Sequence, residues 1–506
     1  MYIGRAELSL TVGHMAPVVT GACAAEPSDS EGIIPNAHGF LKAPVSSANA
    51  DESGAFKNLL CSIKVILIYI PVRSAGGGLT TTQGDTMSQK KSKATRRSIS
   101  ILKQIVTGVL PGWKIAEFAA NEKIKAREFS YDAQIYLLML GQLLHLFSLN
   151  ELVDVSQIYA SELSRIRGIV PAKLNTFSNA NRTRNPAVIE RFFWYVYEIL
   201  KKDNPDFVQC PCKGPLAKFR SRGLYAIDSS TIRLAYWCIG WAKHRQKKAA
   251  VKLHMVANVR SRLPHFCLID KAKDHDSKKA DELLASLKEG DIAILDRAYN
   301  AFAKLYGHHR RGGFFVVREK DRMKSKVVTC VAKEKLPKNI IADETIVLTG
   351  DRTREEYPEH MRRVTAHVFL EGRWRDMVFL TNNFTWSATT IAELYKARWE
   401  VELLFKELKQ TLQLQDFYGE NENAVKWQIW AALLTHLLLR FLKFKAKANC
   451  SYTRFVGFVR AVVWLKKDLM SVLRAYGIAP GEKQGDTLQN MPYLLGFEKY
   501  FAAAVG

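Results

Sequence analysis

The chain has 506 residues, 47% hydrophobic and 24% charged, values of a soluble globular protein long enough for two or three domains with their own cores. Seventy-four Lys and Arg against 49 Asp and Glu give a net charge of +25, which calls for a polyanionic partner but does not by itself separate nucleic-acid binding from other basic proteins. A membrane span is excluded as a reading: Leu59–Val72 is short and holds Lys64, while Trp427–Leu442 carries Gln428, His436 and Arg440 and reads as a buried core helix with His436 satisfied inside it.

In chain order, residues 1–86 come first, rich in Gly, Ala, Ser and Pro and without sustained periodicity. They hold five Lys and Arg against seven Asp and Glu, so the positive excess lies entirely downstream. They read as a linker-like or disordered leader, with Met87 as a candidate native start ahead of the basic run Lys90, Lys91, Lys93, Arg96 and Arg97. From Ser98 to about Asp203 the apolar spacing is helical, and residues 87–220 are expected to form a helical N-terminal domain, a candidate for binding DNA. Within it, Leu149–Ala160 and Lys173–Arg184 can form a helix-turn-helix pair whose second member offers Asn175, Ser178, Asn179, Arg182 and Arg184 to DNA. A small helical domain with a polar face explains the same pattern.

From Leu224 the period changes to that of strands. Leu224–Ile232, Ala249–Val259 and Pro264–Asp270 are expected as three successive strands, followed by a helix over Ser277–Lys288. A strand over Asp291–Asp296, a second helix and a strand over Phe314–Arg318 complete the order. Strand-strand-strand-helix-strand-helix is the order of a ribonuclease-H-like α/β fold, with its first part at 221–320. Four alternating segments near Lys326–Val331, Glu344–Leu348, Arg363–Leu370 and Asp376–Asn382 predict an inserted antiparallel β-subdomain at 321–385. The rest is helical: Ser387–Leu414 and Ala424–Ala446 in a second core part at 386–446, then Tyr452–Tyr476 in a C-terminal helical region at 447–506.

The eight cysteines are scattered. The one close pair, Cys210 and Cys212, lacks the second CxxC or His pair of a zinc site, so unpaired thiols in a reducing cytoplasm are expected.

Two aspartates interrupt or end apolar strands: Asp228 in Tyr-Ala-Ile-Asp-Ser-Ser-Thr and Asp296 in Ile-Ala-Ile-Leu-Asp-Arg-Ala-Tyr. A carboxylate there is costly unless neutralised, and a divalent metal with oxygen ligands such as Mg²⁺ or Mn²⁺ would do so. An Asp capping a strand end is the plainer explanation of either one alone. The third element is the run Tyr395, Arg398, Glu402 and Lys409. On one helix, at about 100° per residue, these four fall within roughly 60° of one another, beside an apolar stripe.

Tyr395-x-x-Arg398-Trp399-x-x-Glu402 with Lys409 resembles the Y-R-E-K signature of insertion-sequence DDE transposases of the "insertion sequence four" type. Asp228-Ser229-Ser230-Thr231 and Asp296-Arg297-Ala298-Tyr299 resemble that family's strand motifs, and Lys252-Leu253-His254 its second strand. The likeness runs from about Ser98 to about Phe444. Ala298 and Ala249 stand where glycine is common in the family, and the 86-residue leader has no counterpart there.

The resemblance implies a DNA transposase with Asp228, Asp296 and Glu402 as catalytic metal ligands for two Mg²⁺ or Mn²⁺ ions. It also implies Tyr395, Arg398 and Lys409 as DNA-binding residues on the phosphate of the element end. Water and then the freed 3′-hydroxyl would be the nucleophiles of cut-and-paste transposition, with a DNA hairpin as the family's common route where such an insert is present. Partners would be double-stranded DNA, both the inverted-repeat ends and the target, with a dimer in the synaptic complex, no membrane, and a cytoplasmic, nucleoid-associated location. The alternatives are a ribonuclease-H-like nuclease without strand transfer, a domesticated DNA-binding protein, and a basic membrane-surface protein.

Overall fold

Strand β5 (Ile292–Leu295) is buried at every position, and its side chains divide between two cores. Ile292 and Ile294 pack with one apolar cluster, Ala293 and Leu295 with the other, as the two-residue period of a strand covered on both faces requires. The computed structural model describes residues 99–209, 214–245, 248–272, 276–370 and 373–481. The leader at 1–86, Met87, the basic run after it, Cys23, Cys61, Cys210 and Cys212 lie outside the described residues. The described residues belong to one compact unit spanning Lys93–Gly506.

The sheet has ten strands. Its first part is a meander of β1 (Leu224–Leu234), β3 (Lys248–Asn258) and β4 (Leu263–Lys271), antiparallel throughout, with the short β2 (Lys243–Arg245) on the edge of β3. On the other side of β1 come β5, parallel to β1, and β6 (Phe314–Arg318), parallel to β5. The order β4-β3-β1-β5-β6, with helices on the faces, is a ribonuclease-H-like α/β core. The four later strands, β7 (Ser325–Cys330), β8 (Ile340–Leu348), β9 (Met361–Leu370) and β10 (Arg373–Thr381), are antiparallel as expected. They do not make a separate sheet. Strand β10 pairs with β6, so the insert prolongs the core sheet.

One face is covered by helices from both ends of the chain: α1 (Ile101–Val109), α2 (Gly112–Ala120), α3 (Tyr131–Leu144), α4 (Leu149–Ile158), α5 (Ala160–Ser164), α6 (Leu174–Thr183) and α7 (Ala187–Asp203) come before the sheet. The opposite face takes α8 (Ala280–Ala285) and α9 (Phe302–Arg310), whose Leu283, Leu284 and Leu305 pack on Ala293, Leu295 and Phe315. Helix α10 (Asp351–Glu356), between β8 and β9, was not foreseen, because it exposes a charged run with no apolar period. Helix α8 is shorter than the expected Ser277–Lys288, its first turn being the 3₁₀ segment Asp276–Lys279.

The expected helix over Ser387–Leu414 is broken. It divides into α11 (Ala388–Lys396) and α12 (Trp399–Lys406), then a π turn at Glu407–Thr411. The long helix α13 (Glu422–Lys445) is the buried core helix foreseen for Trp427–Leu442. Its polar groups are satisfied in part: Gln428 bonds Tyr418 N at 2.8 Å and Asp416 O at 2.6 Å, and His436 Nε2 bonds Glu407 at 2.9 Å, while His436 Nδ1 and Arg440 Nε are buried without a hydrogen-bond partner. Among the described residues no single helix is long and apolar enough to cross a membrane. The segment Tyr452–Tyr476 is two helices, α14 (Tyr452–Val462) and α15 (Leu469–Ala475). The second begins where Asp468 accepts Ser471 N at 2.7 Å.

Candidate active site

Strands β1 and β5 run parallel with Ile227 opposite Leu295, so Asp228, still within β1, and Asp296, just past the end of β5, lie side by side. Neither aspartate replaces a core side chain. Asp228 follows fully buried Ile227, and Asp296 ends β5 by capping a 3₁₀ turn, accepting Ala298 N at 3.4 Å. The alanine at 298 therefore serves the turn through its backbone.

Helices α11 and α12 bring the third element to the same two aspartates. Arg398, at the break between them, donates from Nη1 to Asp228 Oδ2 at 3.0 Å and from Nη2 to Glu402 Oε1 at 2.6 Å. Tyr395 OH donates to Asp296 Oδ1 at 3.5 Å, the long limit of a hydrogen bond. Lys409 Nζ donates to the backbone carbonyl of Thr231 on β1 at 2.8 Å. All six residues thus lie along the edge formed by β1, β5 and α12, although the segment is not the single straight helix that suggested their common face. Arg398 joins Asp228 to Glu402, Tyr395 reaches Asp296, and Lys409 stands three residues along β1 from Asp228.

Burial raises the Asp228 pKa to about 6; Arg398 and the Ser229 amide oppose that rise, while the charges of Asp296 and Glu402 add to it. Both of the other acids are therefore within electrostatic range of Asp228. Among the described residues no three Asp, Glu, His or Cys groups are close enough together to ligate one ion, and Arg398 is the cation shared by Asp228 and Glu402. The donors at this edge are carboxylates without thiol or imidazole, a set that suits a hard divalent cation.

Behind this edge lies a group that sequence reasoning found only in part. Lys252 and His254 alternate on β3 and pair in register with Thr231 and Ser229 of β1. Lys252 Nζ lies 3.0 Å from Asp276 Oδ1, and Ser229 Oγ donates to the same oxygen at 2.9 Å. His254 Nδ1 is 3.0 Å from Tyr299 OH and 3.7 Å from Asp276 Oδ1. Asp276 was missed because nothing in the spacing of Lys-Asp-His-Asp-Ser singles out one acid. The available signal was the inward lysine on β3, which needs a carboxylate.

In the helical region, α4 and α6 form over the two segments read as a helix-turn-helix pair. Asn175, Ser178, Asn179 and Arg182 are exposed, but Arg184 is not available to DNA. Its guanidinium is buried, bonding Ser130 O at 3.1 Å, Gln134 Oε1 at 2.9 Å and the Phe129 carbonyl, because α6 ends at Thr183 and the chain turns inward. At the end of the β9–β10 ladder, Phe369 and Trp374 are exposed beside exposed Arg373 and Arg375, and His367 stacks on Trp374 with centroids 4.9 Å apart. No sequence motif flagged that aromatic pair.

Residues 220–438 match the family model of the transposase DDE domain. This stretch begins just before β1 and ends within α13, so it contains every strand among the described residues and all three acids. In this stretch the chain is similar to the DDE transposases. Its relatives carry transposase names. It is 28% identical over 264 residues to one of Sinorhizobium fredii, covering 52% of this chain and 72% of the relative. It is 29% identical over 242 residues to one for insertion sequence element IS5377 of Geobacillus stearothermophilus, covering 47% of this chain and 61% of the relative. A transposase for insertion sequence element IS4 of Escherichia coli is 24% identical over 186 residues, 34% of this chain and 39% of its own length.

Proposed function

We propose that this chain is a DNA transposase that cuts the ends of its own insertion sequence and joins the freed 3′ ends to target DNA. The observation that carries the reading is the junction at Arg398, whose guanidinium draws Asp228 of β1 and Glu402 of α12 together beside the Asp296 turn. Asp228, Asp296 and Glu402 would hold Mg²⁺ or Mn²⁺, two ions in all. When bound, the ions would activate the attacking oxygen and stabilise the leaving 3′ oxygen of an in-line displacement.

The chain's own groups supply position. Arg398 can exchange a carboxylate for a phosphate, which a guanidinium grips with two parallel hydrogen bonds. Lys409, held beside Thr231, offers a second cation further along β1. Tyr395 is buried, its hydroxyl directed at Asp296, so it fixes that carboxylate and can turn its hydroxyl to an incoming phosphate. In the first step a water oxygen bonds to phosphorus and the 3′ oxygen leaves with the electron pair, taking up a proton. In the second, that 3′-hydroxyl attacks a target phosphodiester and loses its proton. A hairpin intermediate, a synaptic dimer and binding of the inverted repeats through α6 belong to the same proposal. The exposed Phe369–Trp374 pair beside two arginines is suited to stacking on bases and supports a nucleic-acid partner.

The test is incubation of the full chain with Mg²⁺ and labelled duplexes taken from the DNA flanking its coding region. Cleavage leaving a 3′-hydroxyl, followed by covalent joining to a second duplex, is expected. Cleavage without joining would replace transposition by simple nuclease action, and no cleavage in Mg²⁺ or Mn²⁺ would refute the enzymatic reading.

A further inference from the structure

The helix that presents Glu402 is short, eight residues, and has a buried ionic network on the side away from the strand ends. Glu407 opens the π turn and is 8% exposed. Its carboxylate accepts from His436 Nε2 at 2.9 Å and from Arg440 through both oxygens, and Arg262 Nη1 lies 3.6 Å from Oε1. Arg262 also donates from Nε to Glu400 on α12. Two acids that bracket Glu402 in sequence are thus tied to two different supports. These are the β3–β4 turn, through Arg262, and the core helix α13, through His436 and Arg440.

Three features argue against incidental ion pairing. A buried charge network is seldom a cheaper source of stability than apolar packing, and its best-attested use is to fix register. Register is what changes here, since Leu412 N donates to Glu407 O at 3.1 Å, a five-residue step that opens the helix at the residue the network grips. Arg262 moreover has φ of 54°, a left-handed backbone that a long side chain rarely adopts. Burial would raise the Glu407 pKa, yet hydrogen bonds and charge from His436 and Arg440 hold it down to about 2. Burial pushes the His436 pKa below its ordinary value, while the Glu407 carboxylate 2.9 Å from its Nε2 pulls it back up.

We infer that Glu407, with Arg262 as its link to Glu400, is a positioning residue that sets the rotation of α12 and the π turn, and so aims Glu402 and Lys409 at β1. The inference rests on the reading of Glu402 as an active-site acid. Glu407 touches no reacting atom in this scheme. It acts by holding the helix whose other side carries Glu402, and misplacement by an ångström at such a site can cost about 100-fold in rate.

The experiment compares Glu407→Gln, Arg262→Gly and Arg262→Lys with the wild-type chain in Mg²⁺-dependent cleavage, with melting curves on each. Glu407→Gln is expected to lower the rate at saturating DNA by about 100-fold while the half-saturating DNA concentration stays within about twofold. Arg262→Gly relieves the left-handed backbone, so it should fold even if Glu407→Gln does not, and should lose about tenfold in rate with the same unchanged half-saturation. Arg262→Lys, which keeps the charge, should recover part of that loss. A folded Arg262→Gly or Glu407→Gln that cleaves at the wild-type rate overturns the inference. So does a rate loss that tracks the melting curve and vanishes on cooling, which would make the network merely structural. Glu402→Gln run in parallel separates the two readings: if it cleaves normally the site assignment has failed, and if it alone is inactive only the positioning role has failed.

Discussion

Arg398 reaches across 170 residues of sequence to bond Asp228 at 3.0 Å, and with its other amino group holds Glu402 one helical turn away at 2.6 Å. The two acids therefore face one another through a cation that the chain itself provides. With side-chain exposures of 15% for the arginine and 20% and 30% for the acids, the junction is partly screened from water.

Glu402→Gln is nearly isosteric but removes the charge that a divalent ion requires. It is expected to keep the fold and DNA binding and to abolish cleavage. A labelled end-duplex assay in Mg²⁺ beside a gel shift checks this, and wild-type cleavage by the variant would sink the mechanism.

Arg398→Ala and Lys409→Ala should differ from it. Each removes a candidate phosphate contact, so the salt dependence of end binding should flatten by about one unit of slope apiece. Arg398→Ala also deprives Asp228 and Glu402 of their shared partner and should be the more damaging to cleavage. Unchanged salt slopes in both variants would remove their phosphate-holding role.

Asp276 receives Ser229 and Lys252 and lies beside His254, which in turn meets Tyr299 of the Asp296 turn. Asp276→Ala leaves the inward ammonium of Lys252 short of its partner, so a stability loss of about 1–3 kcal/mol is expected, with a matching fall in cleavage. Urea unfolding measures the first. A variant as stable as wild type would show that Asp276 is not needed to join the two strands.

Glu407 gives a pH dependence with a definite sign. Its folded pKa of about 2 lies below the ordinary 4.5, so its contribution is full above about pH 4.5 and is lost as pH falls toward 2. The groups facing it are Arg262, His436 and Arg440, with Lys443 and Tyr452 nearby. The stability difference between wild type and Glu407→Gln, about 3 kcal/mol at neutral pH from the shift alone, should shrink steadily below pH 4.5. Denaturant melts at pH 7, 4 and 3 would read it, and a difference independent of pH would exclude an ionised Glu407.

The sequence by itself determined the order of the long strands, the three acids worth watching and the buried character of α13. Those rest on local patterns: the two-residue period of strands, apolar helical spacing, and carboxylates at the ends of apolar runs. It could not show that Ser387–Leu414 is broken, because apolar periodicity continues through Arg398 while the break and the π turn answer to partners on β1, the β3–β4 turn and α13. Arg184 looked like a DNA contact for the same reason. Its helical neighbours are exposed, and only the packing of the next turn against Phe129 and Gln134 buries it. That the insert prolongs the core sheet was decided by hydrogen bonds between β10 and β6, residues more than sixty positions apart. Charge partners and strand neighbours distant in sequence leave no local period, and in this chain they set the geometry of the candidate site.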